Sequence, residues 1–181
     1  MENVNKIDPS SVSRTAIDTG RADELRTAIE LMHFAYRAMI AKPDQVLAAR
    51  GFTRVHHRVL YFVARSPETS VNTLLRTLGV TKQALNRPLR ELVAAGLVSM
   101  ARSTDDARVK RLRLTAAGRR LEQRLSSLQQ EQFARAFAAA GASAEAGWRR
   151  AMAALAAPEL QKSGRQLPGR QRPFGKAAIR R

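Results

Sequence analysis

The chain of 181 residues contains no cysteine. Structural disulfides, thiolate nucleophiles, zinc fingers built on Cys and sensing by thiol oxidation are all excluded. Acidic residues are scarce, with 15 Asp and Glu against 32 Lys and Arg. The first twenty residues lack an apolar segment of the kind a signal peptide carries. No later stretch approaches the roughly 18 consecutive apolar residues of a membrane helix. The expectation is a cytoplasmic protein with no membrane partner. Glycine-rich phosphate loops, nucleophile motifs and metal-spaced histidine pairs are absent, and the carboxylates are scattered. No enzyme, cofactor or metal site is expected.

The excess of Lys and Arg amounts to a formal charge of +17 with a pI near 11.7. A field of this size concentrates phosphates, so the expected partner is a polyanion, double-stranded DNA above all. The apolar fraction of 44% is that of an ordinary globular chain, and the length suits one domain with tails.

Residues 1–22 mix Ser, Thr, Asn and Asp without apolar period and read as a loose arm, order beginning near Asp23. Over 23–52 the positions Leu25, Ala28, Ile29, Met32, Tyr36, Met39 and Ile40 follow helical spacing, while Leu31, Phe34, Ala38 and Ala41 form a second stripe on roughly the opposite side. A helix apolar on two faces is covered twice, by its own domain and by something else, which in a small protein is often a second subunit. It is expected to end at Lys42, before Pro43. Thr53 caps a second helix closing near Ser66-Pro67, and Ser70 caps a short third one. Gly79-Val80-Thr81 leads into a fourth helix, Lys82 to Ala95, stopped by Gly96. Short helix, three-residue turn and longer helix have helix-turn-helix spacing. Leu97 to Arg102 and Val109 to Leu114 run at strand period and form a hairpin, which makes residues 53–115 a winged helix-turn-helix domain. Residues 116–158 hold two further helices, the first capped by Thr115, the second opening at Ser143 and stopped by Pro158; 159–181 is a basic, disordered tail. The fold class is mainly α with a small β-hairpin wing, and the helices from both ends of the chain serve dimerisation.

On the fourth helix Leu85, Leu89, Leu92 and Val93 share one face, whereas Gln83, Asn86, Arg87 and Arg90 recur at i, i+3, i+4, i+7 on another. Arg pairs with guanine O6 and N7, and Asn or Gln with adenine N6 and N7, so this set reads as a base-reading surface; the alternative is an ordinary solvated face. Thr81 and Lys82 at its start suit phosphate contact. Pro88 lies inside this helix, and the continuous apolar phase from Leu85 to Val93 favours one helix, slightly bent, over a break. On the hairpin, Arg102, Arg108 and Arg111 read as further DNA contacts, with Asp106 placed to brace Arg108 for a minor groove; the alternative is a solvated charged hairpin.

The run Gly79-Val80-Thr81-Lys82-Gln83-Ala84-Leu85-Asn86-Arg87-Pro88-Leu89-Arg90-Glu91-Leu92, followed by Ala95-Gly96-Leu97-Val98, Asp106-Ala107-Arg108 and Leu112-Arg113-Leu114-Thr115-Ala116-Ala117-Gly118, resembles the MarR family of bacterial transcription regulators. The resemblance spans roughly Leu25 to Leu155. It implies a homodimer with interleaved first and last helices, each chain offering a winged helix to a palindromic operator, with Arg108 as the minor-groove arginine. It also implies a small, often aromatic, anionic ligand that loosens the grip on DNA. Candidate ligand residues are His33, Tyr36 and Arg37 on the first helix and His56, His57 and Arg58 on the second.

Two readings remain from the sequence. One is a dimeric, sequence-specific regulator, a repressor released by such a ligand. The other is a weakly specific nucleoid-associated protein held to DNA by charge and the basic tail, with a steep salt dependence.

Overall fold

Four hydroxyl residues, Thr53, Ser70, Thr81 and Thr115, each stand immediately before a helix in the computed structural model, which describes residues 19–102 and 109–165. The side chains of Ser70, Thr81 and Thr115 accept hydrogen bonds from the backbone N–H groups of Thr73, Ala84 and Gly118, satisfying donors that a helix start leaves free. The elements in chain order are α1 (Thr19–Ala48), α2 (Arg54–Arg65), β1 (Thr69–Ser70), α3 (Val71–Leu78), α4 (Lys82–Ala94), β2 (Val98–Arg102), β3 (Lys110–Leu114), α5 (Ala116–Ala140) and α6 (Ala142–Ser163).

The chain divides into two units, 1–38 and 39–181. In the first, the described residues form the leading turns of α1, along which Ile29, Leu31 and Phe34 are exposed. The second contains the core. Leu60, Leu74, Leu85, Leu92, Leu112 and Leu125 are fully buried there, one or more from each of α2, α3, α4, β3 and α5. Leucine and valine at helical spacing on α2, α3, α4 and α5 close this interior with few aromatic rings.

The sheet has three antiparallel strands in the order β1-β3-β2. The hairpin is the expected one, with Val98 opposite Leu114 and Arg102 opposite Lys110. Strand β1 has no counterpart in the sequence reading, since two residues are too short to show a period; Thr69 pairs with Leu112 and Ser70 with Arg111. Glu68 enters this strand with a positive φ of 66°, and its N–H donates to the Leu112 carbonyl.

Prolines mark the other differences. Helix α1 does not end at Lys42 but continues through Pro43 to Ala48. Pro43 and Leu47 are both buried, and that packing offsets the backbone bond that the proline removes. Pro88 sits inside an unbroken α4, as the apolar phase requires. Pro158 fails to stop α6, which reaches Ser163 and ends at Gly164 in the left-handed conformation (φ 68°). The first residues of the segment expected to be a disordered tail, 159–163, are therefore helical. Val93, expected among the apolar face of α4, is exposed.

Gly118 explains the end of the Leu-Thr-Ala-Ala-Gly run. A Cβ at this position would lie 2.0 Å from the carbonyl oxygen of Leu97, which is backbone and has nowhere to go. Thr115 ties the same junction, its hydroxyl donating to the Gly96 carbonyl at 2.7 Å while accepting from Gly118 N–H. The hairpin and α5 are thereby locked together by backbone contacts that admit no side chain.

Candidate nucleic-acid interface

Helix α4 presents Gln83, Asn86, Arg87 and Arg90 as exposed residues on one side, with Leu85, Leu89 and Leu92 buried on the other. Thr81 and Lys82 are exposed at its first turn. The Thr81 hydroxyl accepts from Ala84 N–H at 3.2 Å and retains its own proton to donate elsewhere. Ahead of it, the turn is set by Gly79 in the left-handed conformation (φ 62°), whose N–H closes α3 on the Leu75 and Arg76 carbonyls. The Arg58 guanidinium donates to the Leu78 carbonyl at 2.6 Å and covers the same helix end.

The polar face of α4 is braced from within. Glu91 Oε1 accepts from Arg87 Nε at 2.8 Å, and Glu91 Oε2 lies 2.8 Å from His56 Nε2 on α2. Hydrogen bonds from Arg87 and, less strongly, from His56 hold the Glu91 carboxyl below its ordinary pKa. His56 was a ligand candidate, yet both its ring nitrogens are engaged in the fold. Its Nδ1 faces the Thr53 N–H at 3.0 Å, the place usually taken by Glu or Gln in a capping box, and Phe52 stacks on the ring. Adjacent His57 is buried, with its Nε2 unpartnered among the described residues. Burial pushes its pKa below the usual value, with Asp44 acting in the opposite direction.

The other candidates are distributed widely. Arg102 is exposed at the end of β2, whereas Arg111 is half-buried and donates to the Glu68 carbonyl at 3.2 Å. Its neighbour Arg113 pairs with the Glu68 carboxylate. Asp106 and Arg108 lie outside the described residues. His33, Tyr36 and Arg37 are exposed on the leading part of α1, His33 edge-on to Phe34. Sequence reasoning overlooked Glu91 and Glu68. The i, i+4 spacing of Arg87 and Glu91 was a signal for the first; nothing local marks Glu68, whose partners lie more than forty residues away.

A cavity of about 300 Å³ opens between the end of α2, α3 and the end of α6, lined by Phe62, Ser66, Thr73, Thr77 and Arg165 among others. The Arg165 guanidinium lies 4.9 Å over the Phe62 ring. Among the described residues no cluster of His, Asp or Glu has the make-up of a metal site, and no helix is long and apolar enough to cross a membrane.

A capped helix-turn-helix with a polar, arginine-bearing second helix and a β-hairpin behind it has relatives. The sequence model of the MarR family matches residues 50–109. The HTH-type transcriptional regulator PetP of Rhodobacter capsulatus is 41% identical over 145 residues, covering 80% of this chain and 87% of that protein. The chain belongs to the MarR family. As a member it is a DNA-binding transcriptional regulator of the winged helix-turn-helix type. Among solved structures, a MarR family regulator from Silicibacter pomeroyi shares the fold at a TM-score of 0.62 and 24% identity, over 72% of this chain and 88% of that one. A Mycobacterium tuberculosis MarR family protein in complex with p-aminosalicylic acid matches at 0.51 and 28% identity, over 70% and 95% of the two chains.

Proposed function

We propose that this MarR family regulator is a homodimeric repressor that binds a palindromic operator at the nucleoid and is released by a small anionic ligand. The observation that carries the reading is the exposed set Gln83, Asn86, Arg87 and Arg90 on one side of α4, a donor-rich face of the kind that reads base edges in a major groove. Exposed apolar residues on α1, among them Ile29, Leu31 and Phe34, and Leu155 on α6 supply surface for a second copy. Two-fold symmetry then sets two half-sites roughly 34 Å apart. For the ligand, the support is the Mycobacterium tuberculosis relative bound to p-aminosalicylic acid together with the cavity at Arg165, where a carboxylate meets a guanidinium and several hydroxyls.

Selection of bound duplexes from a random DNA pool tests this, run near 150 mM salt, where the screening length is about 8 Å and purely electrostatic binding is weakened. The expected result is an inverted repeat with that half-site spacing. Salicylate added to the complex lowers binding, and Arg165→Ala removes that response without changing the recovered sequence. The +17 charge favours a second reading, a weakly specific nucleoid-associated protein. An unenriched pool, with binding that falls steeply in salt and is indifferent to Asn86→Ala and Arg87→Ala, would establish that reading instead.

A further inference from the structure

We propose that Glu91 is the positioning residue of the recognition surface: held from α2 by His56, it aims Arg87 so that the outer edge of the guanidinium reads a guanine. The proposal rests on the reading of α4 as a base-contacting helix.

The geometry begins in the core. His56 is 2% exposed, and its Nδ1 lies 3.0 Å from the Thr53 backbone N–H, which can only donate. Nδ1 is therefore the acceptor, and in the neutral ring the proton sits on Nε2. From there it is donated to Glu91 Oε2 at 2.8 Å. Phe52, stacked on the ring with centroids 4.7 Å apart, leaves the imidazole little freedom to turn. A ring fixed by cap, stack and burial thus fixes a carboxylate at the surface.

The other oxygen of that carboxylate receives Arg87 Nε at 2.8 Å, while the Arg87 side chain is 82% exposed. An isolated surface pair of this spacing contributes little, because both side chains rotate freely. Here one partner is tethered to another helix through its second oxygen, so the arginine inherits its orientation. The contact uses Nε and leaves the two terminal nitrogens facing outward. Those form the fork that matches guanine O6 and N7. Both Glu91 oxygens are engaged, which argues against Glu91 itself reading a cytosine amino group.

The test uses the full chain and the operator recovered by selection, together with operators carrying a single substitution at each guanine. Wild type, Glu91→Gln, Arg87→Ala and the double variant are compared for base discrimination and for binding to a random duplex, with thermal melting as the control for folding. Glutamine keeps the shape of the side chain, but one of its two ends donates and cannot accept from either Arg87 or His56. Glu91→Gln is expected to reduce discrimination at one guanine by about tenfold, at the same position where Arg87→Ala acts. It leaves random-duplex binding no weaker and adds nothing in the Arg87→Ala background. Additive effects, effects at different positions, or a uniform loss on all duplexes accompanied by a lowered melting temperature would each overturn the role of Glu91 while leaving α4 as the reader. Arg87→Ala without any change in base preference would overturn the reading of α4, and the proposal with it.

Discussion

The helices of the helix-turn-helix block are apolar on one side only, whereas α1 and α6 spread their apolar residues around the axis, and the two regions meet opposite fates. From α2 to β3, the stripes of Leu60, Leu74, Leu85 and Leu92 vanish into a common interior. On the leading part of α1, Ile29 is 70% exposed and Phe34 61%, and α6 contains no buried residue at all. Periodicity announces an amphipathic helix, whereas burial depends on whether the chain itself supplies the other side. The first region closes on itself; along the leading part of α1 apolar side chains are left open to solvent, and on α6 only Trp148 finds aromatic partners, Phe133 and Phe137 of α5.

The largest expected effect tests how completely the first region is closed. Gly118→Ala places a methyl group against the Leu97 carbonyl, where only backbone movement gives relief. A loss of about 3 kcal/mol or more is expected in denaturant unfolding. A change below 1 kcal/mol, on the order of ordinary surface substitutions, would mean the junction of hairpin and α5 is looser than its contacts indicate.

The converse experiment puts a charge into the open region. Phe34→Asp should leave the melting temperature of the core nearly unchanged while converting the proposed dimer to a monomer in sedimentation. Operator affinity should then fall by about 100-fold or more, since the second half-site no longer binds as part of the same molecule. Unchanged sedimentation would show that this face is covered by something other than a second chain.

Within the closed region, His57 sharpens the contrast through pH. Burial lowers its folded pKa below 6.5, so above that value the ring is neutral both folded and unfolded. As pH falls through 6.5 the unfolded chain takes up a proton that the folded one resists, and stability drops, by at most about 1.4 kcal/mol per pH unit from this group. Melting temperatures between pH 7.5 and 5.5 should decline less steeply in His57→Leu than in wild type. Equal slopes would remove His57 as the cause.

At the small end stands the exposed pair Arg21 and Glu24, 2.8 Å apart and open to solvent on both sides. Arg21→Ala is expected to change stability by no more than about 0.5 kcal/mol in the same unfolding assay.

Much of the fold could be read directly from the chain. Caps at Thr53, Ser70, Thr81 and Thr115 and the turn glycine Gly79 appear where local residues put them, because each depends on interactions spanning only a few positions, and the hairpin joins strands adjacent in the chain. The two prolines that were expected to end helices did not, since Pro43 is paid for by burial and Pro158 lies in a helix whose stop is the left-handed Gly164. The polar face of α4 was legible for the same local reason, but its support was not.

What the sequence determined by itself was thus the succession of elements, the sign and size of the charge, and the helix that carries Asn86, Arg87 and Arg90. The tertiary structure decided which apolar residues became core, brought the His56 ring within 2.8 Å of the Glu91 carboxylate, and drew Arg111 back to the Glu68 carbonyl. Those outcomes depend on residues tens of positions apart meeting in space. A period counts neighbours along the chain, and carries no record of what will lie across from them.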